Sequence, residues 1–60
     1  MTLNYYTKEV YGQTMYYLAK PHDMHNWEMI TGRKTITPAL MDRMTSLTGV
    51  TFNRVFEAEN

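Results

Sequence analysis

The stretch Ile30-Thr31-Gly32-Arg33-Lys34-Thr35-Ile36, followed by Thr37-Pro38, joins two segments that both carry helical patterns. Gly32 can take the left-handed conformation that ends a helix, and Thr37-Pro38 is typical of a helix start. Arg33 and Lys34 lie between the two signals, where a helix leaving a major groove would meet DNA phosphates. An ordinary helix end with two solvated cations is the alternative. The patterns in the flanking segments are therefore needed to distinguish these interpretations.

Downstream of this stretch, the spacing predicts two helices. The first begins at the cap Thr37, repeats apolar residues at helical spacing and ends at Gly49. Its repeated apolar residues are Leu40, Met44 and Leu47. A second, short helix is expected from Thr51, because the three apolar residues that follow share one helical face. These are Phe52, Val55 and Phe56.

Upstream, Pro21 interrupts the chain and Asp23 can cap a helix that runs to Gly32. Met24, Trp27 and Ile30 would form its buried face. Trp27 is then expected to share a core with the apolar residues of the next helix, Leu40, Met44 and Leu47.

The N-terminal segments allow two interpretations. Two short helices separated by Gly12 are favoured, one before it and one from Gln13 to Lys20. All five tyrosines fall between Tyr5 and Tyr17, and such aromatic density also suits a β-hairpin that turns at Gly12. Residues 1–60 are thus expected to form one all-α domain of four or five helices with a helix-turn-helix. The alternative fold is α+β with an N-terminal β-hairpin.

Composition limits the function classes. Six Lys and Arg balance six Asp and Glu, so no overall positive field attracts polyanions, and any nucleic-acid surface has to be local. The chain has no cysteine and no run of roughly 18 apolar residues, which predicts a soluble, cytoplasmic protein without disulfides. With one serine, Ser46, and little room for a pocket, an enzyme is not expected. A core this small also favours dimerisation.

Taken in order, Gly12-Gln13-Thr14, a helical run to Lys20, the turn at Pro21, a helix closed by Gly32 and the sequence that follows resemble the helix-turn-helix of Cro and related phage repressors (XRE-type domains). The resemblance extends through Ile36-Thr37-Pro38, Gly49-Val50 and Val55-Phe56-Glu57, and it covers nearly the whole chain. It implies a transcriptional repressor that binds a palindromic operator in double-stranded DNA as a homodimer.

The resemblance also implies roles for particular residues. The helix from Asp23 to Thr31 would be the recognition helix, which enters the major groove by its N-terminal half, so the base-reading candidates are His22, His25 and Asn26. Phosphate contacts would come from Gln13, Thr14, Lys20, Arg33, Lys34 and Thr35. Aromatic residues of the first and last segments are expected at the dimer surface, namely Tyr5, Tyr6, Phe52 and Phe56.

Two alternatives stay open beside this assignment. His22, Asp23 and His25 offer three potential metal ligands without a fourth, so neither a metal nor any other cofactor is expected. A small helical protein-interaction or inhibitor module that uses tyrosine and methionine side chains, and does not bind DNA, is the second functional hypothesis. The neutral net charge is its best support.

Overall fold

The structure is a computed structural model that describes residues 1–59, and it contains three strands and two helices. In chain order these are β1 (Thr2–Val10), β2 (Gln13–Leu18), α1 (Pro21–Thr31), α2 (Pro38–Thr48) and β3 (Thr51–Arg54). The strands form one sheet in the order β2-β1-β3. The expected all-α helix bundle is therefore wrong, and the chain has the alternative α+β fold with an N-terminal hairpin.

The hairpin places Leu3 and Tyr5 of β1 and Tyr16 and Leu18 of β2 on the sheet face that packs against the core. β1 and β2 pair antiparallel, with Val10 opposite Gln13 next to the turn. Tyr11 (φ 51°) and Gly12 (φ 77°) both have positive φ, as a two-residue type I′ turn requires. The two short helices expected on either side of Gly12 are thus absent, since aromatic residues pack well on a pleated surface.

β3 replaces the short helix expected after Gly49. It runs parallel to β1 with Leu3 opposite Phe52. Phe52 packs edge-on against Trp27 at 5.8 Å and against Tyr5 at 6.5 Å between ring centroids. These contacts with distant parts of the chain favour the strand over the locally plausible helix.

The helix ends follow the local signals closely, with one correction. Gly32 (φ 70°) and Gly49 (φ 78°) end α1 and α2 in the left-handed conformation, as predicted. Thr37 caps α2, where its hydroxyl accepts the Leu40 backbone N–H at 3.2 Å. Helix α1 begins earlier than expected, at Pro21, so Asp23 lies in its first turn rather than at its cap.

The core lies between one face of the sheet and the two helices. Its buried members are Leu3, Leu18, Trp27, Ile36, Met41 and Val50. Trp27 was correctly predicted, but Leu40 and Met44 are only half-buried and Leu47 is 69% exposed. Helix α2 instead turns Met41 inward, and Leu47 lies outside the core. On α1, Ile30 is half-buried and Met24 is 46% exposed, so the expectation that Met24 belongs to the buried face is wrong.

Candidate functional site

The solvent face of α1 carries the three residues expected to read bases. His22 and His25 are exposed and Asn26 is half-buried, while Trp27 on the opposite side of the helix is fully buried. The Asn26 side-chain amide donates to His22 Nε2 at 3.2 Å, one helical turn earlier. That bond uses one amide hydrogen and leaves the other hydrogen and the Asn26 oxygen available to a ligand.

Cations lie at both ends of this face. Lys20 precedes α1 and Arg33 follows it; eleven helical residues separate the two ends by roughly 16 Å. The Thr31 hydroxyl donates to the Trp27 carbonyl at 2.8 Å and accepts the Arg33 backbone N–H at 3.0 Å. Arg33 is thus held through its backbone, which leaves its guanidinium free to meet an anion.

The loop after α1 is attached to the core. Trp27 Nε1–H donates to the Thr35 carbonyl at 3.0 Å, and Ile36 is buried. The side chain of Thr35 itself and that of Lys34, directly before it, are exposed. The loop cations therefore have a position fixed by the core, which little in the sequence could have indicated.

Two of the residues expected at phosphates lie elsewhere. Gln13 and Thr14 begin β2, so the helix start on which their expected role rested does not exist. The Thr14 hydroxyl donates to Glu9 Oε1 at 2.6 Å across the hairpin. Neither residue belongs to the α1 face.

The four aromatic residues expected at a dimer surface are divided between the core and the exterior. Tyr5 and Phe52 pack against the core, as described above. Tyr6 lies on the other sheet face and stacks on Tyr17 at 5.4 Å between centroids, with Lys8 Nζ 6.0 Å from its ring centre. Phe56 is fully exposed.

A groove of about 560 Å³ lies along β2, and sequence reasoning missed it because β2 was expected to be helical. Its lining is mostly apolar and includes Tyr16, Leu18, Met24, Ile36 and Pro38. Met15 and Tyr17 line it from the other side of the strand and are 41% and 36% exposed. β2 has a sheet neighbour on one side only, β1, so this groove borders an open sheet edge.

Asp23 is separated from the two histidines beside it in sequence. It is 3% exposed, and its Oδ2 has no hydrogen-bond partner within residues 1–59. His22 and His25 lie on the solvent side of α1. Across the described residues, no three His, Asp or Glu side chains converge as a metal site would require.

Comparisons with known protein families, with curated proteins and with solved structures found no match for this chain. Neither helix in residues 1–59 has the length and apolar character needed to cross a membrane.

Proposed function

We propose that this domain binds double-stranded DNA through the solvent face of α1 and represses transcription as a homodimer on a palindromic site. One observation carries the proposal: a polar stripe on the solvent side of a helix has cations at both ends. The stripe comprises His22, His25 and Asn26, and the cations are Lys20, Arg33 and Lys34. Such a regulator would act in the cytoplasm and would not be an enzyme.

Asn26 is the residue best suited to read a base. A side-chain amide can donate to and accept from the N6 and N7 edge of adenine at the same time. The hydrogen bond from Asn26 to His22 leaves one donor and one acceptor for this task and restricts the orientation of the amide. His22 then acts mainly by positioning Asn26, and His25 can offer a single directional bond.

The number of cations determines how strongly one copy is expected to bind DNA. Three cations per copy neutralise at most about three phosphates, which gives a slope of log affinity against log salt of about −2.7 per copy, at about −0.9 for each phosphate. The chain has zero formal net charge, so little long-range attraction adds to these contacts. A single copy should bind weakly, and two copies on one duplex should approach a slope of about −5.4.

The phosphate contacts are tested by anisotropy titration of a random-sequence duplex at several salt concentrations. Arg33→Ala and Lys34→Ala should each weaken binding and reduce the magnitude of the slope by about one. Arg54→Ala is the matched control, because it removes the same charge from an exposed residue of β3. Equal losses for Arg33→Ala and Arg54→Ala, or binding by the parent without salt dependence, would contradict the assignment of α1.

The proposed base contact of Asn26 is tested on a duplex selected for binding from a random pool. Asn26→Ala should cost about 1 to 3 kcal/mol on the selected site, leave affinity for scrambled duplex intact and relax preference at one base pair. Asn53→Ala serves as the control, since Asn53 is an exposed asparagine on β3. If Asn26→Ala lowers both affinities equally, Asn26 does not read sequence.

A protein-interaction module is the second candidate function, and the groove along β2 favours it. Tyrosine and methionine side chains line this groove, among them Tyr16, Tyr17, Met15 and Met24. Such side chains are enriched at protein interfaces. If neither the parent nor any cation variant shows salt-dependent duplex binding, this function becomes the better account.

A further inference from the structure

We propose that β2 is the edge through which two copies of this chain dimerise, by antiparallel strand pairing across a two-fold axis at Tyr16. The pairing would join two three-stranded sheets into one continuous sheet. This inference rests on the sheet edge alone and not on DNA binding.

The direction of the backbone groups shows that the edge is available. The Ala19 N–H donates to the Asn4 carbonyl at 2.8 Å, and Val10 faces Gln13 across the two-residue turn. Backbone groups alternate in direction along a strand, so the odd-numbered residues of β2 bond to β1. The N–H and C=O groups of Thr14, Tyr16 and Leu18 therefore point away from the sheet. They form the unpaired ladder that a further strand would use.

A two-fold axis at Tyr16 lets the outward backbone groups of β2 pair with the same groups of a second copy. Tyr16 would exchange both backbone hydrogen bonds with Tyr16 of the partner subunit, and Thr14 would do so with the partner's Leu18. Met15 would then lie opposite the partner's Tyr17 on the face that carries no helices. Cross-strand Met–aromatic pairs of this kind are favourable, and both side chains are partly exposed in the single copy.

Charge favours a second copy as the occupant. The β2 sequence Gln-Thr-Met-Tyr-Tyr-Leu contains no charged residue, so self-pairing places no like charges opposite each other within the strand. Natural proteins commonly block an exposed edge with charge, proline or a very short strand. β3, at the other edge, has only four residues and includes Arg54, whereas β2 has six residues and contains neither charge nor proline, although the loop of residues 34–38 lies beside it along the groove.

The small core gives a physical reason for pairing. A domain of this length buries a modest share of its apolar surface, and oligomerisation is a common source of additional stability. Tyr6, one of the aromatic residues expected at a dimer surface, would contribute indirectly because its ring stacks on Tyr17.

Amide hydrogen exchange tests the pairing without any substitution. Raising the protein concentration from about 10 µM to about 1 mM should slow exchange at Thr14, Tyr16 and Leu18 by tenfold or more. Exchange at Met15 and Tyr17 should change less, because their amides already bond to β1. Uniform slowing along β2, or no concentration dependence at all, would overturn the proposal.

Sedimentation equilibrium of variants tests the same edge independently of fold stability. Thr14→Pro removes an outward N–H and no backbone hydrogen bond of the hairpin, and its only further loss is the exposed side-chain bond to Glu9. It should raise the dimer dissociation constant at least tenfold while leaving the circular dichroism spectrum intact, whereas Thr14→Val, which removes only the side-chain bond, should leave the dimer unchanged. Met15→Lys should act in the same direction by opposing the partner's Tyr17. Met29→Lys makes the same chemical change at a more exposed site on α1 and should leave dimerisation unchanged.

Each result decides the question. A parent that stays monomeric at about 1 mM overturns the proposal and favours an unrelated protein as the occupant of the groove. A dimer that survives both Thr14→Pro and Met15→Lys places the interface elsewhere, which also overturns it. All these measurements omit DNA, so their failure is distinguishable from failure of DNA binding.

Discussion

The same substitution at Leu3 and at Leu47 should have very different effects on stability. Leu3 is fully buried in the core cluster, so Leu3→Ala should cost about 3 to 5 kcal/mol through lost burial and a cavity. A domain of 60 residues has a total stability on the order of 3 to 9 kcal/mol, so this change should unfold much of the protein. Leu47 is 69% exposed, which leaves about a third of its surface covered. Since full burial of a leucine is worth about 1.5 to 3 kcal/mol, Leu47→Ala should cost about 0.5 to 1 kcal/mol, and the helix propensity of alanine offsets a few tenths of that.

Urea denaturation followed by fluorescence provides the assay. Trp27 is the sole tryptophan and is fully buried, so its emission reports loss of the core directly. Parent and variants should be compared at one low protein concentration, so that dimerisation does not contribute unequally. If Leu47→Ala shifts the urea midpoint as far as Leu3→Ala does, the placement of α2 in this structure is wrong.

Three further substitutions test local features. Thr37→Ala removes the hydroxyl that accepts the Leu40 N–H and should lower the free energy of unfolding by about 1 kcal/mol; an unchanged urea midpoint would contradict the cap. Tyr11→Asn should raise stability by about 0.5 to 1 kcal/mol, because asparagine tolerates positive φ better than tyrosine, and a lower melting temperature would argue against the type I′ turn. Trp27→Phe loses the hydrogen bond to the Thr35 carbonyl, worth about 0.5 to 1.5 kcal/mol, as well as ring volume, so it should lower the free energy of unfolding. An unchanged urea midpoint, followed by circular dichroism, would contradict this.

The features that the sequence predicts well are those decided by a few neighbouring residues. The end of α1 and both ends of α2 follow from Gly32, Thr37 and Gly49, whose effects depend on their own backbone and on the first or last turn. The exposed stripe on α1 is also a local property, since a buried Trp27 fixes which side of the helix faces solvent. The hydrogen bond between His22 and Asn26 joins residues one helical turn apart, so their spacing already allowed it.

The errors arise where distant segments decide the structure. Phe52, Val55 and Phe56 fit a helical face, but the pairing of Phe52 with Leu3, far away in sequence, places residues 51–54 in a strand. Aromatic residues in the first 18 positions are compatible with both short helices and a hairpin, and only a packed sheet face separates the two. The groove along β2 depends on the second of these choices, because it exists only once residues 13–18 form a strand, so no pattern in the sequence indicated it.

The two proposals place compatible geometric demands on one molecule. Both helices pack on the same sheet face, since Trp27 of α1 and Met41 of α2 share the core with Leu3. Edge-to-edge pairing at β2 with both helical layers on one side requires a two-fold axis perpendicular to the sheet. An axis within the sheet plane would instead leave the two copies of α1 on opposite faces, where they could not contact one side of a duplex together. Pairing Met15 with the partner's Tyr17 on the face without helices requires the first arrangement, because a flipped copy would bring Met15 and Tyr17 to opposite faces. The side chains of β2 thus favour the one symmetry in which two recognition helices are able to meet a palindromic site.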